Sequence, residues 1–400
     1  MHDPERAPRY HALDGVRAFA MLLGVFLHAS IPYLHVSFPW AVVDSSQSIA
    51  LTLLIYAIHS FRMPAFFLIA GFFARLLFHR SGPAFFVRHR AKRVLLPLVA
   101  GWLVLYPLVR ALWVWSGVRA TPGADVSDLW TALSTVFSPR FLTRGLGLIH
   151  LWFLYYLLLL YVVLLAGRWV FVRFLDPRNH QRKRLDRVFA GLVRSPWAAL
   201  ILAVPLTSVL MMMHGWGVDF VTRHLIPRPV HILYYGAFFT FGWMLHRNPS
   251  LLTSLRDRWP VNLGAGLVLL VPLTFLLYLV HQVKHDADSW FRASYFLMYG
   301  GLSWCLVLAL VGFFQRFFDR PSRPWRYLAD SSYWVYLVHL PVVIALPILL
   351  REMQISWFWK LSLVLAASTP VLLGTYHLLV RSTWLGVLLN GRRLPLRNPE

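Results

Sequence analysis

Ten stretches of this chain are apolar over roughly 20 residues, the length a helix needs to cross a bilayer. They run over 17–34, 50–77, 94–115, 148–174, 197–213, 230–246, 261–281, 293–315, 332–350 and 357–380. The fifth and sixth are short and carry Gly or Pro. In a hydrocarbon layer every backbone N–H and C=O must be satisfied within the protein, so runs of this kind specify helices. The expected fold is all-α: a polytopic membrane protein with about ten transmembrane helices. It forms one membrane domain over residues 1–400, with its spans inside 17–380.

The composition agrees. Of the residues, 58% are hydrophobic and 14% charged, where soluble proteins carry about a quarter charged residues. A soluble globular domain and a disordered chain are both excluded. The charge is lopsided, with 39 Lys and Arg against 16 Asp and Glu, a formal net +23. No nucleic-acid partner is needed to explain it, because the basic residues alternate with the spans. The termini and the even-numbered connections hold 24 of them. The odd-numbered connections hold eight, namely Arg119, Arg140, Arg144, Arg223, Arg228, Lys284, Arg292 and Arg351. This is the positive-inside pattern, and it makes both termini cytoplasmic. An odd number of spans would destroy the alternation. The basic segment 178–187 reads as a solvated cytoplasmic loop near anionic lipid. Connection 116–147 reads as a small outer cap. Cys305 is the only cysteine, which excludes a disulfide framework within one chain. No cleavable signal peptide is evident.

Ionisable side chains inside spans are costly and point to function. Arg17 stands at the inner edge of the first span and His28 eleven residues on, roughly 16 Å along a helix axis. His59 and Arg62 share a face of the second span, at a depth similar to His28. His339 lies within the ninth span, and His150 at the outer start of the fourth. A single intramembrane histidine is as well read as a hydrogen-bonded core residue, and His150 as an interfacial one. A guanidinium at mid-membrane is different: it must face water, a partner or a substrate. The histidines match no metal-ligand spacing, so no metal is assigned. Just inside the membrane, Arg90, Lys92 and Arg93 make either an ordinary positive-inside anchor or a clamp for phosphate oxygens. No Walker or dinucleotide glycine motif accompanies them, which argues against an ATP-driven pump.

These residues fall in blocks that resemble a known family. RYHALDGVRAFAMLLGVFLH (9–28) holds Arg17, ten residues and then His28, the Arg-x10-His pattern of the membrane acyltransferase 3 family. The likeness continues in HSFRMPAFFLIAGFF (59–73), RHRAKRVLLPL (88–98), HLWFLYYLLLLY (150–161) and SYWVYLVHLP (332–341). It covers spans one to four and nine; spans five to eight carry none of it. The blocks look most like the branch that succinylates osmoregulated periplasmic glucans.

The resemblance implies an enzyme of the bacterial inner membrane. It would take an acyl group, expected to be succinyl, from cytoplasmic acyl-CoA and deliver it to a hydroxyl of a periplasmic glucan. His28 would be catalytic, and Arg17 would belong to the acyl-donor side. Acyl-CoA would be a co-substrate, with no bound cofactor. The chemistry suits the layout, since a sugar hydroxyl needs a neutral imidazole to take its proton as it attacks a thioester. His59, Arg62, His150 and His339 are the candidates for oxyanion or acyl-group contacts. Arg17, Arg90, Lys92 and Arg93 are the candidates for the phosphates of CoA. A free succinyl carboxylate would pair with Arg62. Two alternatives remain at this point: O-acetylation of another cell-envelope carbohydrate, and a carbohydrate transporter that does no chemistry. A homo-oligomer is compatible with either.

Overall fold

The computed structural model describes residues 9–36, 38–120, 128–136, 147–218, 225–283 and 289–395. Of the basic residues counted above, Arg6, Arg140, Arg144, Arg223, Lys284 and Arg397 lie outside them. The described chain is all-α. In order, α1 is His11–Ser30, α2 Ile49–Arg90, α3 Leu96–Arg119, α4 Asp128–Val136 and α5 Trp152–Val170. There follow α6 His180–Arg194, α7 Ala198–Met211, α8 Pro229–Leu245 and α9 Leu251–Val283. The chain continues with α10 Ser289–Phe317, α11 Arg323–Leu350, α12 Trp357–Thr375 and α13 Trp384–Asn390.

A helix covers each of the ten expected segments, but not every helix has the length of a crossing. Among the described residues seven stretches are long and apolar enough, one of them the 71-residue run Ile49–Arg119 that holds both α2 and α3. The fifth and sixth expected spans are the deficit: α7 has 14 residues and α8 has 17. α6 and α7 together pass as one span bent by 113°, which raises the count to eight. The reading of 178–187 as a loop is corrected, because most of it belongs to α6. Asp176 caps that helix by accepting from the Gln181 and Arg182 amides at 3.0 and 2.9 Å. Phe189 and Val193, four apart and so on one face, are buried beneath its charged side. Within 116–147, α4 packs against α3; residues 121–127 and 137–146 lie outside the described set.

Faces that would be polar in a soluble bundle are apolar here. α3 exposes Val99, Leu103 and Val104, and α9 exposes Leu267, Val268 and Val271, surfaces suited to lipid rather than water. Without a hydrophobic drive between helices in lipid, close approach depends on small residues. The crossing of α2 and α8 shows this. Gly71 lies against the Phe239 carbonyl and Gly242 against the Leu68 carbonyl, so backbone meets backbone and neither position has room for a Cβ.

Two apolar clusters divide the interior. One contains Leu13 and Val16 of α1 with Leu337 of α11; the other contains Val25 and Leu27 of α1 with Val335 and Leu340 of α11. α1 and α11 run parallel across both. Near their N-terminal ends Arg17 donates to the Ala329 carbonyl at 2.8 Å. Farther along, His28 meets His339. His28, His150 and His339 collect between these helices and the start of α5.

Candidate active site

His28 occupies the last turn of α1, and its Nδ1 lies 2.8 Å from His339 Nε2. The protons in this pair follow from the neighbours. His339 Nδ1 points at two carbonyls, Tyr336 at 2.7 Å and Val335 at 3.1 Å. A carbonyl only accepts, so that nitrogen carries the proton. The Nε2 of neutral His339 is then an acceptor, and His28 Nδ1 must donate to it. What remains on neutral His28 is the Nε2 lone pair, a base of fixed orientation.

His150 is held by a consequence of Pro341. A proline inside a helix has no N–H to give the carbonyl four residues back, here Leu337. His150 Nε2 fills the vacancy, donating to Leu337 at 2.9 Å. The Tyr336 hydroxyl donates to the His150 carbonyl at 2.9 Å, closing a clamp between α11 and the start of α5. With its one proton so used, neutral His150 has a lone pair at buried, unpartnered Nδ1 rather than a donor for an oxyanion.

Arg62 enters from α2. Its guanidinium lies against α1 at Gly24, where an added Cβ would come within 2.6 Å of a terminal nitrogen. Gly24 is one turn before His28, about 6 Å toward the Arg17 end. Its missing side chain is the space the guanidinium uses. Among the described residues no carboxylate reaches Arg62, and its Nε is buried without a hydrogen-bond partner. His59, three residues earlier on the same helix, stands beside Arg62 and within electrostatic reach of His28. His28, His59 and Arg62 are only partly buried, whereas His150 and His339 are buried. Among the described residues no group of three or more His, Cys, Asp or Glu has metal-holding geometry.

The loop between α1 and α2 covers the far side of His28. Trp40 stacks on the imidazole with ring centroids 6.0 Å apart and 11° between planes, and meets Trp113 edge-on. The loop is well fastened. Ser116 Oγ donates to the Ala41 carbonyl at 2.5 Å, and the Trp357 amide to Ser46 Oγ at 2.8 Å. Lys360 Nζ pairs with Asp44 at 2.7 Å, and both side chains are almost wholly buried.

The basic residues form a second group about three helical turns away. Arg17 is within 3.7 Å of Asp14, and its Nε is buried without a partner. Arg93, in a π-helical turn over Ala91–Leu95, packs its guanidinium against Gly391 and accepts the Tyr333 hydroxyl at its carbonyl, 2.6 Å. Arg90 lies over Phe86 and Tyr161, 5.2 and 5.1 Å from the ring centroids. Arg93 is close enough to feel the charges of both Arg90 and Arg17, while Lys92 is exposed. Thus all four expected donor-side residues lie toward one end of the bundle. The five expected reaction-side residues meet deeper inside.

Sequence reasoning did not single out Gly24, Trp40 or Pro341. Only Pro341 left a readable signal, a proline placed to free a carbonyl within a span.

A membrane bundle with an imidazole pair and a guanidinium at its centre has the parts for acyl transfer. The acyltransferase domain model matches residues 10–377, and the chain belongs to the acyltransferase 3 family. It is similar to glucans biosynthesis protein C of Escherichia coli strain K12, with 26% identity covering 86% of this chain and 84% of the relative. The same figures hold for that protein from Escherichia coli O17:K52:H18 and from Shigella dysenteriae serotype 1. No solved structure matches the chain.

Proposed function

We propose that this protein is an O-acyltransferase of the bacterial inner membrane that moves a succinyl group from cytoplasmic succinyl-CoA to a hydroxyl of a periplasmic glucan. The observation that carries the proposal is the His28–His339 hydrogen bond, which leaves one oriented lone pair beside a guanidinium whose Nε is buried without a partner. The glucan is suggested by the near-full-length likeness to glucans biosynthesis protein C. The sugar oxygen attacks the thioester carbonyl carbon while His28 Nε2 takes the hydroxyl proton. The C–O bond forms, the C–S bond breaks, and the proton passes to the departing CoA thiolate. Arg62 and His59 are the groups positioned to stabilise negative charge on the acyl unit. Arg17, Arg90, Lys92 and Arg93 serve the diphosphate of the donor. Mass spectrometry of periplasmic glucans from cells with and without the protein is expected to show succinyl additions of 100 Da only where it is present. Unmodified glucan together with acetyl groups on another envelope carbohydrate would overturn the acceptor and the donor together. Purified protein that turns over no acyl-CoA would leave only transport.

The proposal requires ten crossings with both termini cytoplasmic. It is supported by the parallel pairing of α1 and α11, which demands an even number of crossings from the first of them to the start of the second. Activity-reporter fusions after residues 45, 130 and 220 are expected to read outside, and those after 85, 185 and 320 inside. Inversion at any of the first four positions in chain order would overturn the site geometry described above.

A further inference from the structure

A concavity lies at the Arg17 end of the bundle, beyond the residues assigned above. It is a cleft of about 270 Å³ between the start of α1 and the α10–α11 turn. Its lining combines two chemistries. Phe318 and Trp325 form an aromatic corner, with centroids 5.1 Å apart and planes at 70°. Arg320, Arg323 and Arg326 stand around it, all three exposed. Among the described lining residues Asp14 is the only carboxylate, and Arg9 already holds it at 2.9 Å. The guanidinium groups of Arg320, Arg323 and Arg326 make no ion pair among the described residues and stand beside an apolar ring face. That combination fits a purine carrying a phosphate: the base stacks on the indole and guanidinium forks take the phosphate oxygens.

The cleft also lies on the path to the histidines. Asp14 is fourteen residues before His28 on α1, and Trp325 fourteen before His339 on α11. On these parallel helices each offset is about 21 Å. An extended phosphopantetheine arm covers a comparable span, and Arg17 stands between the two ends.

We infer that the cleft binds the nucleotide end of the acyl donor, adenine against Trp325 and the 3′-phosphate among Arg320, Arg323 and Arg326. This rests on the acyl-CoA reading above and adds to it where the donor's base is held.

The test uses adenosine 3′,5′-bisphosphate, which has neither a pantetheine arm nor an acyl group. By calorimetry the purified full-length protein is expected to bind it saturably. The double variant Arg320→Gln, Arg323→Gln should bind about tenfold or more weakly, while Arg184→Gln, Arg187→Gln on α6 should bind as the parent does. No binding by the parent, or equal affinity in the double variant, overturns the assignment. Binding that vanishes in nanodiscs containing phosphatidylglycerol overturns it in favour of a lipid headgroup. Turnover is scored separately. The ratio of kcat/KM for succinyl-CoA to that for succinyl-pantetheine should fall about tenfold in the double variant, and an unchanged ratio counts against the cleft. If the parent turns over neither thioester, the acyl-CoA reading fails while the calorimetry still decides what the cleft binds.

Discussion

The variant His28→Ala is expected to lower acyl transfer by about 10²–10⁴-fold while remaining folded and membrane-inserted. The size follows from the chemistry. A sugar hydroxyl attacking without a base must shed its proton without a positioned acceptor. The geometry also predicts which neighbour matters next. His339 accepts the Nδ1 proton of His28 at 2.8 Å, so it fixes the tautomer without touching substrate. The variant His339→Phe should therefore cost less than His28→Ala and should displace the acid limb of the pH–rate profile. A purely structural role for His339 would lower the rate equally at every pH. Initial rates of CoA release by detergent-purified variants, with a fold check by circular dichroism, make the measurement. His28→Ala activity within about tenfold of the parent, under 1.4 kcal/mol of barrier, would remove His28 as general base.

Arg62→Met is expected to change which donor the enzyme prefers. The guanidinium lies against Gly24, has a buried Nε without a partner, and meets no carboxylate among the described residues. A succinyl chain would bring the missing carboxylate as a charge-assisted contact. Leaving that carboxylate buried and unpaired costs roughly 3–5 kcal/mol, or about 10²–10⁴-fold. Acetyl has no carboxylate, so its transfer should fall much less. Gly24→Ala should give a weaker version of the same change, because its Cβ would push a terminal guanidinium nitrogen lying only 2.6 Å away. Succinyl-CoA and acetyl-CoA turnover by Arg62→Met, measured side by side, decides the matter. Equal losses would assign Arg62 to the oxyanion and retire the carboxylate contact.

The fold was legible where burial in lipid forces apolarity over a whole helix, as in α1, α9, α10 and α11. It was less so at α7 and α8, whose composition is that of a span although 14 and 17 residues fall short of one. α6 was hidden because its density of Arg and Lys masks the i,i+4 pair Phe189 and Val193. At the site, cost was the readable quantity. Arg62 and the histidines stood out because polar groups in spans are expensive. What joins them was not readable, since His28 and His339 are 311 residues apart. Glycine 24 carries no polarity to notice, and Trp40 is one of 18 tryptophans in a membrane chain.

The contacts that complete the site join the first part of the chain to nearly the last. His28 waits for a partner 311 residues later, and Asp44, which fastens the loop over it, for Lys360, 316 residues later. At about 5–20 residues per second, a ribosome takes about 15–60 s to cover that interval. For that time the emerging chain holds its Arg-x10-His segment in the bilayer with no oriented base and no fastened cover. Under the proposed chemistry, a chain cut short before α11 carries the motif without the histidine that orients its base.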